Sequence, residues 1–340
     1  MKRINFMLAL LVMLALMGCK DGNDGPDYNE QPRIYVAISD LFNSYVHDIE
    51  GNVIYECPQN SHIIKLASEG KDWYAVRSRR VDNNSVLYEV LKNGTVQFQI
   101  PYKAESMCVD NGDVYTYQLD ENHEYCVVYK NDQQLYKFDA HGSEFVHNSF
   151  DVVDGHLVAG IYSRNPPTYW IDGKTLTLDI NTTFSQFSME AYAREGTDDL
   201  FVILDDDDDS IWYQFKGQSH GLPSAFLVSQ AMIVDGVPYI LAVNRDLDQA
   251  LLYVNGYKYL LNRPLKDNDE YDWWYGLMRR YGNDVYVLTN TQGDHSQIYK
   301  RNEPIDMSAR IELRNVAGGD ERVKALSDFN LVDFIVLPPK

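Results

Sequence analysis

Asn111-Gly112-Asp113-Val114-Tyr115-Thr116-Tyr117 reads as a tight turn feeding an apolar, aromatic strand. Downstream, Val127-Val128-Tyr129-Lys130-Asn131-Asp132 is a second strand running into a second turn. The same shape recurs outward in both directions. Its strands begin at Ile34-Tyr35-Val36-Ala37, Trp73-Tyr74-Ala75-Val76, Leu157-Val158-Ala159-Gly160, Leu200-Phe201-Val202-Ile203, Pro238-Tyr239-Ile240-Leu241 and Val285-Tyr286-Val287-Leu288. Anchored on Tyr35, Tyr74, Tyr115, Leu157, Phe201, Tyr239 and Tyr286, the steps are 39, 41, 42, 44, 38 and 47 residues. The following turns, at Gly51, Gly94, Asp132, Gly173, Gly217, Gly256 and Glu303, keep the same register. Asn93-Gly94, Asp172-Gly173 and Asn255-Gly256 supply the positive φ that two-residue hairpins need.

A period of this length holds about four short strands, which is the size of a propeller blade. Helical heptads are missing, and a sandwich gives no reason for a sevenfold repeat. The expected fold is an all-β, seven-bladed β-propeller, with strand A innermost in each blade and the anchor on strand B. The repeat opens on strand B, so strand A of the first blade is expected from the C-terminal end. Two segments offer it, Val323-Lys324-Ala325-Leu326 and Val332-Asp333-Phe334-Ile335-Val336-Leu337. One is surplus, so eight blades, or a strand added at an edge, stands as the alternative.

The 340 residues carry 45% hydrophobic and 24% charged side chains, an ordinary globular composition, with 25 Tyr among the aromatics. A net charge of −20 argues against nucleic acid, whose phosphates call for clustered Lys and Arg. Lys2 and Arg3 precede an apolar run from Phe6 to Met17, too short to span a membrane as a helix. Leu16-Met17-Gly18-Cys19 resembles the lipobox of bacterial lipoproteins, and Lys20-Asp21-Gly22-Asn23-Asp24 resembles the surface-export tag of Bacteroidota. The expected organisation is a signal peptide over 1–18, a flexible tether over 19–32 and one propeller over 33–340. Together with the Val-Tyr-Lys-Asn phrase of the 127–131 region and Ile298-Tyr299-Lys300-Arg301-Asn302, the chain resembles the β-propeller lipoproteins of Bacteroidota. The resemblance implies lipidation at Cys19, membrane attachment through that lipid, and an outer-membrane location at the cell surface, with a periplasm-facing leaflet as the alternative. A fold and an address are what it implies, not a chemistry.

Cys57, Cys108 and Cys126 remain, an odd set with no zinc spacing, and read as buried thiols. Cys108 falls on strand A and Cys126 on strand C of one blade, too far apart for a disulfide. Gly217-Gln218-Ser219-His220-Gly221 matches the hydrolase nucleophile elbow in letters only, because Gly217 sits at a hairpin turn and Leu222-Pro223 follows where a helix would start. None of the eight His falls in a metalloprotease pattern. The run Asp205 to Asp209 lacks the Gly and Glu of an EF-hand. It reads as a solvated hairpin tip or as a looser calcium site through Asp205, Asp207 and Asp209. No other cofactor is expected.

In a propeller the B–C and D–A loops share one face. Here the B–C tips are mostly acidic, and the D–A links carry Tyr102, Phe145, Phe184, Phe187, Trp273, Trp274 and Tyr275. Aromatics that stack on sugar rings beside carboxylates that bond hydroxyls make a glycan site, with Trp273, Trp274, Tyr275, Tyr102 and Phe184 as its candidate residues. The bland alternative has the aromatics capping blade edges and the acids conferring solubility. Three functions are carried forward: a non-enzymatic module binding a glycan, peptide or protein; an exported glycoside hydrolase or polysaccharide lyase; and a structural part of an outer-membrane assembly. The first expects no convergent, desolvated acid–base pair in the central channel, and the second expects two or three charged side chains from different innermost strands meeting in a pocket with aromatics around them.

Overall fold

The computed structural model describes residues 31–39, 44–82, 85–140, 144–162, 166–178, 187–205, 208–223, 225, 227–244, 249–261, 275–291, 295–313, 322–329 and 331–340. Within them lie seven four-stranded antiparallel sheets and one two-stranded hairpin. Blade 3 shows the pattern, with Ala104–Asp110 as strand A, Asp113–Leu119 as B, Tyr125–Lys130 as C and Gln133–Asp139 as D. The innermost strands of blades 2 and 4 to 7 are Ser61–Glu69, Asp151–Val153, Phe187–Glu195, Leu227–Val234 and Tyr275–Tyr281. Blade 1 closes the ring as the sequence predicts. Leu331–Leu337 is its strand A and pairs antiparallel with Arg33–Ser39, Tyr35 opposite Ile335. The surplus segment is accounted for by a hairpin of Arg310–Leu313 and Arg322–Ala325, outside the blades, so the count is seven and not eight.

Strand B runs are apolar at consecutive positions because both of their faces are buried. In blade 1, Ile34, Val36 and Ile38 pack toward blade 7, while Tyr35 and Ala37 pack toward blade 2. The core is accordingly divided into layers between neighbouring blades rather than gathered at one centre. The blade 2–3 layer holds Tyr74, Val76, Val90, Ile100, Ala104 and Val114. A blade has no core of its own, and its fold rests on having a neighbour on each side.

The repeated Lys-Asn phrase has a local cause. Asn93 and Gly94 both have positive φ (+49° and +82°), as a two-residue hairpin requires. Asn93 Oδ1 accepts from the Trp73 N–H (3.0 Å), and its Nδ2 donates to Asp72 (2.7 Å). Lys92 reaches the same Asp72 at 2.7 Å. Blade 3 repeats the arrangement, with Asn131 to Val114 N–H and Asp113 and with Lys130 to Asp113. Between blades, Glu69 accepts from the Gly112 N–H (2.7 Å), and Glu195 accepts from those of Asp235 and Gly236 (3.1 and 2.7 Å).

Antiparallel alternation puts the A–B and C–D turns on one face and the B–C and D–A loops on the other. Strand B of blade 1 starts at Arg33 opposite Leu337, so the first and last described strands meet at the A–B face. The cysteines follow the expected register: Cys108 on strand A pairs with Tyr115, and Cys126 on strand C with Leu119. All three are buried, none is in a disulfide, and burial pushes the thiols of Cys57 and Cys126 up to about 12 and about 11. Gly217 lies at the turn between Ser210–Phe215 and Gln218–Gly221, a hairpin and not a nucleophile elbow. Among the described residues no helix is long and apolar enough to cross a membrane.

Candidate functional site

The innermost strands enclose a channel cavity of about 250 Å³, whose walls include Lys65, Ser106, Asn148, Asp151, Gln230, Arg279 and Asp333. A β-bulge places four of these side chains equivalently. The ladders of blades 1, 2, 3 and 6 shift register within strand A, and the residue just past the shift is Asp333, Lys65, Ser106 or Gln230. A bulge re-aims the side chain beside it. The residue after each then turns its N–H away from strand B and toward the channel.

Two inward N–H groups, that of Leu66 just past the blade 2 bulge and that of Met278 at the equivalent ladder position of the unbulged blade 7, are capped from the preceding blade. Asp333 of blade 1 takes the Leu66 N–H of blade 2 on Oδ2 (2.8 Å), and Gln230 of blade 6 takes the Met278 N–H of blade 7 on Oε1 (2.6 Å). Asp333 Oδ1 also accepts from the Phe334 N–H (2.8 Å) and from Arg279 Nη2 (2.6 Å). With 2% exposure, this carboxylate has both oxygens engaged by structure. Arg279 is held further by donating from Nε to the Phe334 carbonyl and from Nη1 to that of Met278.

Lys65 differs from its counterparts. It is partly buried, and burial pulls its ammonium below the usual lysine range, with Asp333 and Glu105 opposing that shift. Among the described residues no side chain or carbonyl bonds it. Asp151 is open to the cavity yet surrounded by the blades, and that enclosure pushes its carboxyl up to about 6, Arg279 pulling the other way and Asp110 adding to the rise. Charged side chains from innermost strands of four blades therefore do converge, which meets the charged half of the enzyme expectation, while Phe150 is the one aromatic among the described residues that line the cavity.

On the B–C and D–A face, Tyr162 stands 39% exposed with the His147 ring edge-on at 6.2 Å. Glu190 and Glu144 lie close enough to raise the Tyr162 hydroxyl beyond the larger effect of burial. Exposed Glu121, Glu124, Asp208 and Asp209 keep the acidic character expected of the B–C tips. Tyr102 is partly buried on the link between blades 2 and 3, with its N–H bonded to Gln118 Oε1 (3.1 Å). Two aromatics grouped with that face belong to the core instead. Phe145, 4% exposed, stacks on Tyr117 at 4.4 Å, and Phe187, 3% exposed, packs in the blade 4–5 layer.

Tyr275 opens strand A of blade 7. Cys19, Phe184, Asp207, Trp273 and Trp274 lie outside the described residues. Asp205 is buried at the end of its strand, opposite Ser210, whereas Asp209 is exposed at a turn. Among the described residues no three carboxylates, histidines or thiols group as metal ligands. A second hollow of about 660 Å³ lies on the opposite face at the seam of blades 7 and 1, beside Gln31, Ile34, Ile49, Tyr286 and Ile305.

Sequence reasoning missed Lys65, Asp151, Gln230, Arg279 and Asp333 as channel residues. One signal was present. Lys65, Ser106 and Gln230 each stand nine residues before the anchor tyrosine, polar letters inside apolar strands.

Fold and channel define the class, a seven-bladed β-propeller with a polar, charged axis. No protein-family model matches the chain, and no curated protein matches it in sequence. Solved structures do match in shape. Hsv2 of Kluyveromyces lactis aligns over 86% of this chain and 93% of its own, with 8% identity and a TM-score of 0.50. A prolyl endopeptidase aligns over 87% of this chain at 11% identity and a TM-score of 0.51, the match spanning 50% of that longer protein. The β-propeller domain of the Trilobed protease from Pyrococcus furiosus covers 79% of this chain at 10% identity, with a TM-score of 0.43. At such identities the likeness is one of fold.

Proposed function

We propose that this protein is an exported, lipid-anchored binding module that takes a glycan on its B–C and D–A loop face, a peptide or protein partner being the other occupant of that surface. One observation carries the reading: the Tyr162–His147 pair lies beside Glu144 and Glu190 on the face opposite the one where strands Arg33–Ser39 and Leu331–Leu337 meet. An exposed aromatic ring offers a sugar its flat face, and neighbouring carboxylates accept from ring hydroxyls. A tether from Cys19 to residue 32 joins strand B on the other side, which leaves this face turned away from the anchoring membrane. Tyr102, on the link between blades 2 and 3, belongs to the same face, and sequence order assigns Trp273 and Trp274, outside the described residues, to another D–A link.

The second reading, an exported glycoside hydrolase or polysaccharide lyase, is favoured by the convergence of Lys65, Asp151 and Arg279 in the channel. Asp333 is an unsuitable acid or base there, because its oxygens are already bonded. A glycan-array screen on the soluble chain from residue 28 onward, with and without calcium, tests the proposal. A saturable hit, weakened at least tenfold by Trp273→Ala with Trp274→Ala and left chemically intact on incubation, is the expected result. A shortened or unsaturated product would establish the enzyme reading instead, and no hit would remove the glycan.

A further inference from the structure

The channel holds an unfinished pattern. In blades 1 and 6 the residue past the bulge is an acceptor, and it caps the inward N–H of the next blade. In blade 2 the same position is Lys65, and the N–H it faces by register is that of Met107, which pairs with Thr116 as Leu66 pairs with Ala75. An ammonium has three donors and no acceptor. A donor therefore meets a donor, and among the described residues nothing accepts from either. Three of the five N–H groups of Arg279 are used, by two carbonyls and Asp333, leaving two more.

Charge points the same way. Around Lys65, Asp333 is committed to Arg279, and Glu105 is paired with Lys103 at 3.1 Å. The wall between carries Met107, Met232, Met278 and Ile335 among polar groups that include Asn148 and Asp151, so the ammonium stands in a half-enclosed space with no bonded counter-charge. Unpaired, partly buried donors of one sign, clustered around a cavity of about 250 Å³, ask for a small group that is all acceptor.

We propose that the channel is a binding site for a small oxyanion, held by Lys65, the Met107 N–H and the free N–H groups of Arg279. A carboxylate is the best-fitting form, because its two oxygens divide between ammonium and guanidinium while its short carbon part meets the methionines. The site is separate from the loop-face surface, so it stands or falls independently of the glycan reading.

Thermal unfolding of the soluble chain at fixed ionic strength, titrated with sodium acetate or inorganic phosphate against sodium chloride, tests it. Either oxyanion should raise the midpoint saturably while chloride does not, and the one that saturates at lower concentration identifies the carboxylate or the phosphate form. Lys65→Met should weaken that half-saturation at least tenfold, and Lys65→Arg should keep it within about threefold. Because Lys65→Met also removes an uncompensated cation, its unliganded midpoint should lie at or above wild type, which separates lost binding from lost folding. Equal responses to acetate, phosphate and chloride would overturn the proposal, as would a Lys65→Met protein that folds and still saturates like wild type.

Discussion

Glu89 is a residue on which two blades depend. It is 4% exposed, receives Arg77 at 2.6 Å and Arg79 at 3.3 Å, and Arg77 in turn reaches the Tyr55 hydroxyl of blade 1. Removing one partner leaves the other charge buried and alone, so Glu89→Gln should cost about 3–5 kcal/mol in urea unfolding. Replacing both with apolar residues should cost far less. Asp151 gives a pH signature. Its carboxyl is raised by burial to about 6, against about 3.9 in an unfolded chain, with Arg279 and Asp110 as the charges facing it. Between those values the native state keeps a proton that the unfolded chain has released, so this group's contribution falls as pH rises through the window. Asp151→Asn should therefore gain on wild type from pH 4 to pH 7, read as the difference between their urea midpoints at each pH. A constant difference would mean that Asp151 titrates normally. At this scale the sequence is mute on partners: it prints polar letters at Lys65 and Gln230, but which N–H each faces depends on a bulge and on the neighbouring blade.

Each blade is an element built by local rules and stabilised by non-local ones. The C–D hairpins of blades 2 and 3 are fixed by Asn93 and Asn131 at positive φ, whose amides bond the strand B backbone, and Asp172 takes the same part in blade 4. Asn131→Ala should cost about 1–2 kcal/mol, from φ strain and the lost hydrogen bonds, while Asn131→Gly should recover the strain part. Closure is the second rule. Leu331–Leu337 supplies strand A to blade 1 and is nearly all buried, so a chain ending at residue 330 leaves two blade faces and a strand edge open. Size-exclusion chromatography should find that truncation in aggregates, whereas the full chain elutes as a compact particle. A monomeric, folded truncation would mean that the ring does not need its closing strand. Most of this scale was legible. Turn chemistry and strand runs repeat in the letters, and so does the demand for a C-terminal strand. Two aromatics misled, because Phe145, on a D–A link, and Phe187, which opens strand A of blade 5, both turn into the layers between blades. A loop position read from sequence does not say which way its side chain points.

As a whole molecule the ring has two unlike faces. One carries the meeting of the first and last described strands, with Lys-Asp pairs such as Lys92–Asp72 and Lys130–Asp113. The other carries acidic tips and the exposed Tyr162 around the mouth of a channel. Repeat architecture made the faces readable from sequence, since strand order alone decides which loops share a side. The channel's charge was not readable, because it is assembled from single residues in strands far apart along the chain. Binding on the acidic loop face is the central claim, and calorimetry on face-specific variants tests it most directly. With a glycan that binds the soluble chain, Tyr162→Ala and Tyr102→Ala should each weaken affinity at least fivefold, while Lys92→Ala and Lys130→Ala on the opposite face should leave it within about twofold. Loss confined to the two lysine variants, with both tyrosine variants binding like wild type, would contradict the account.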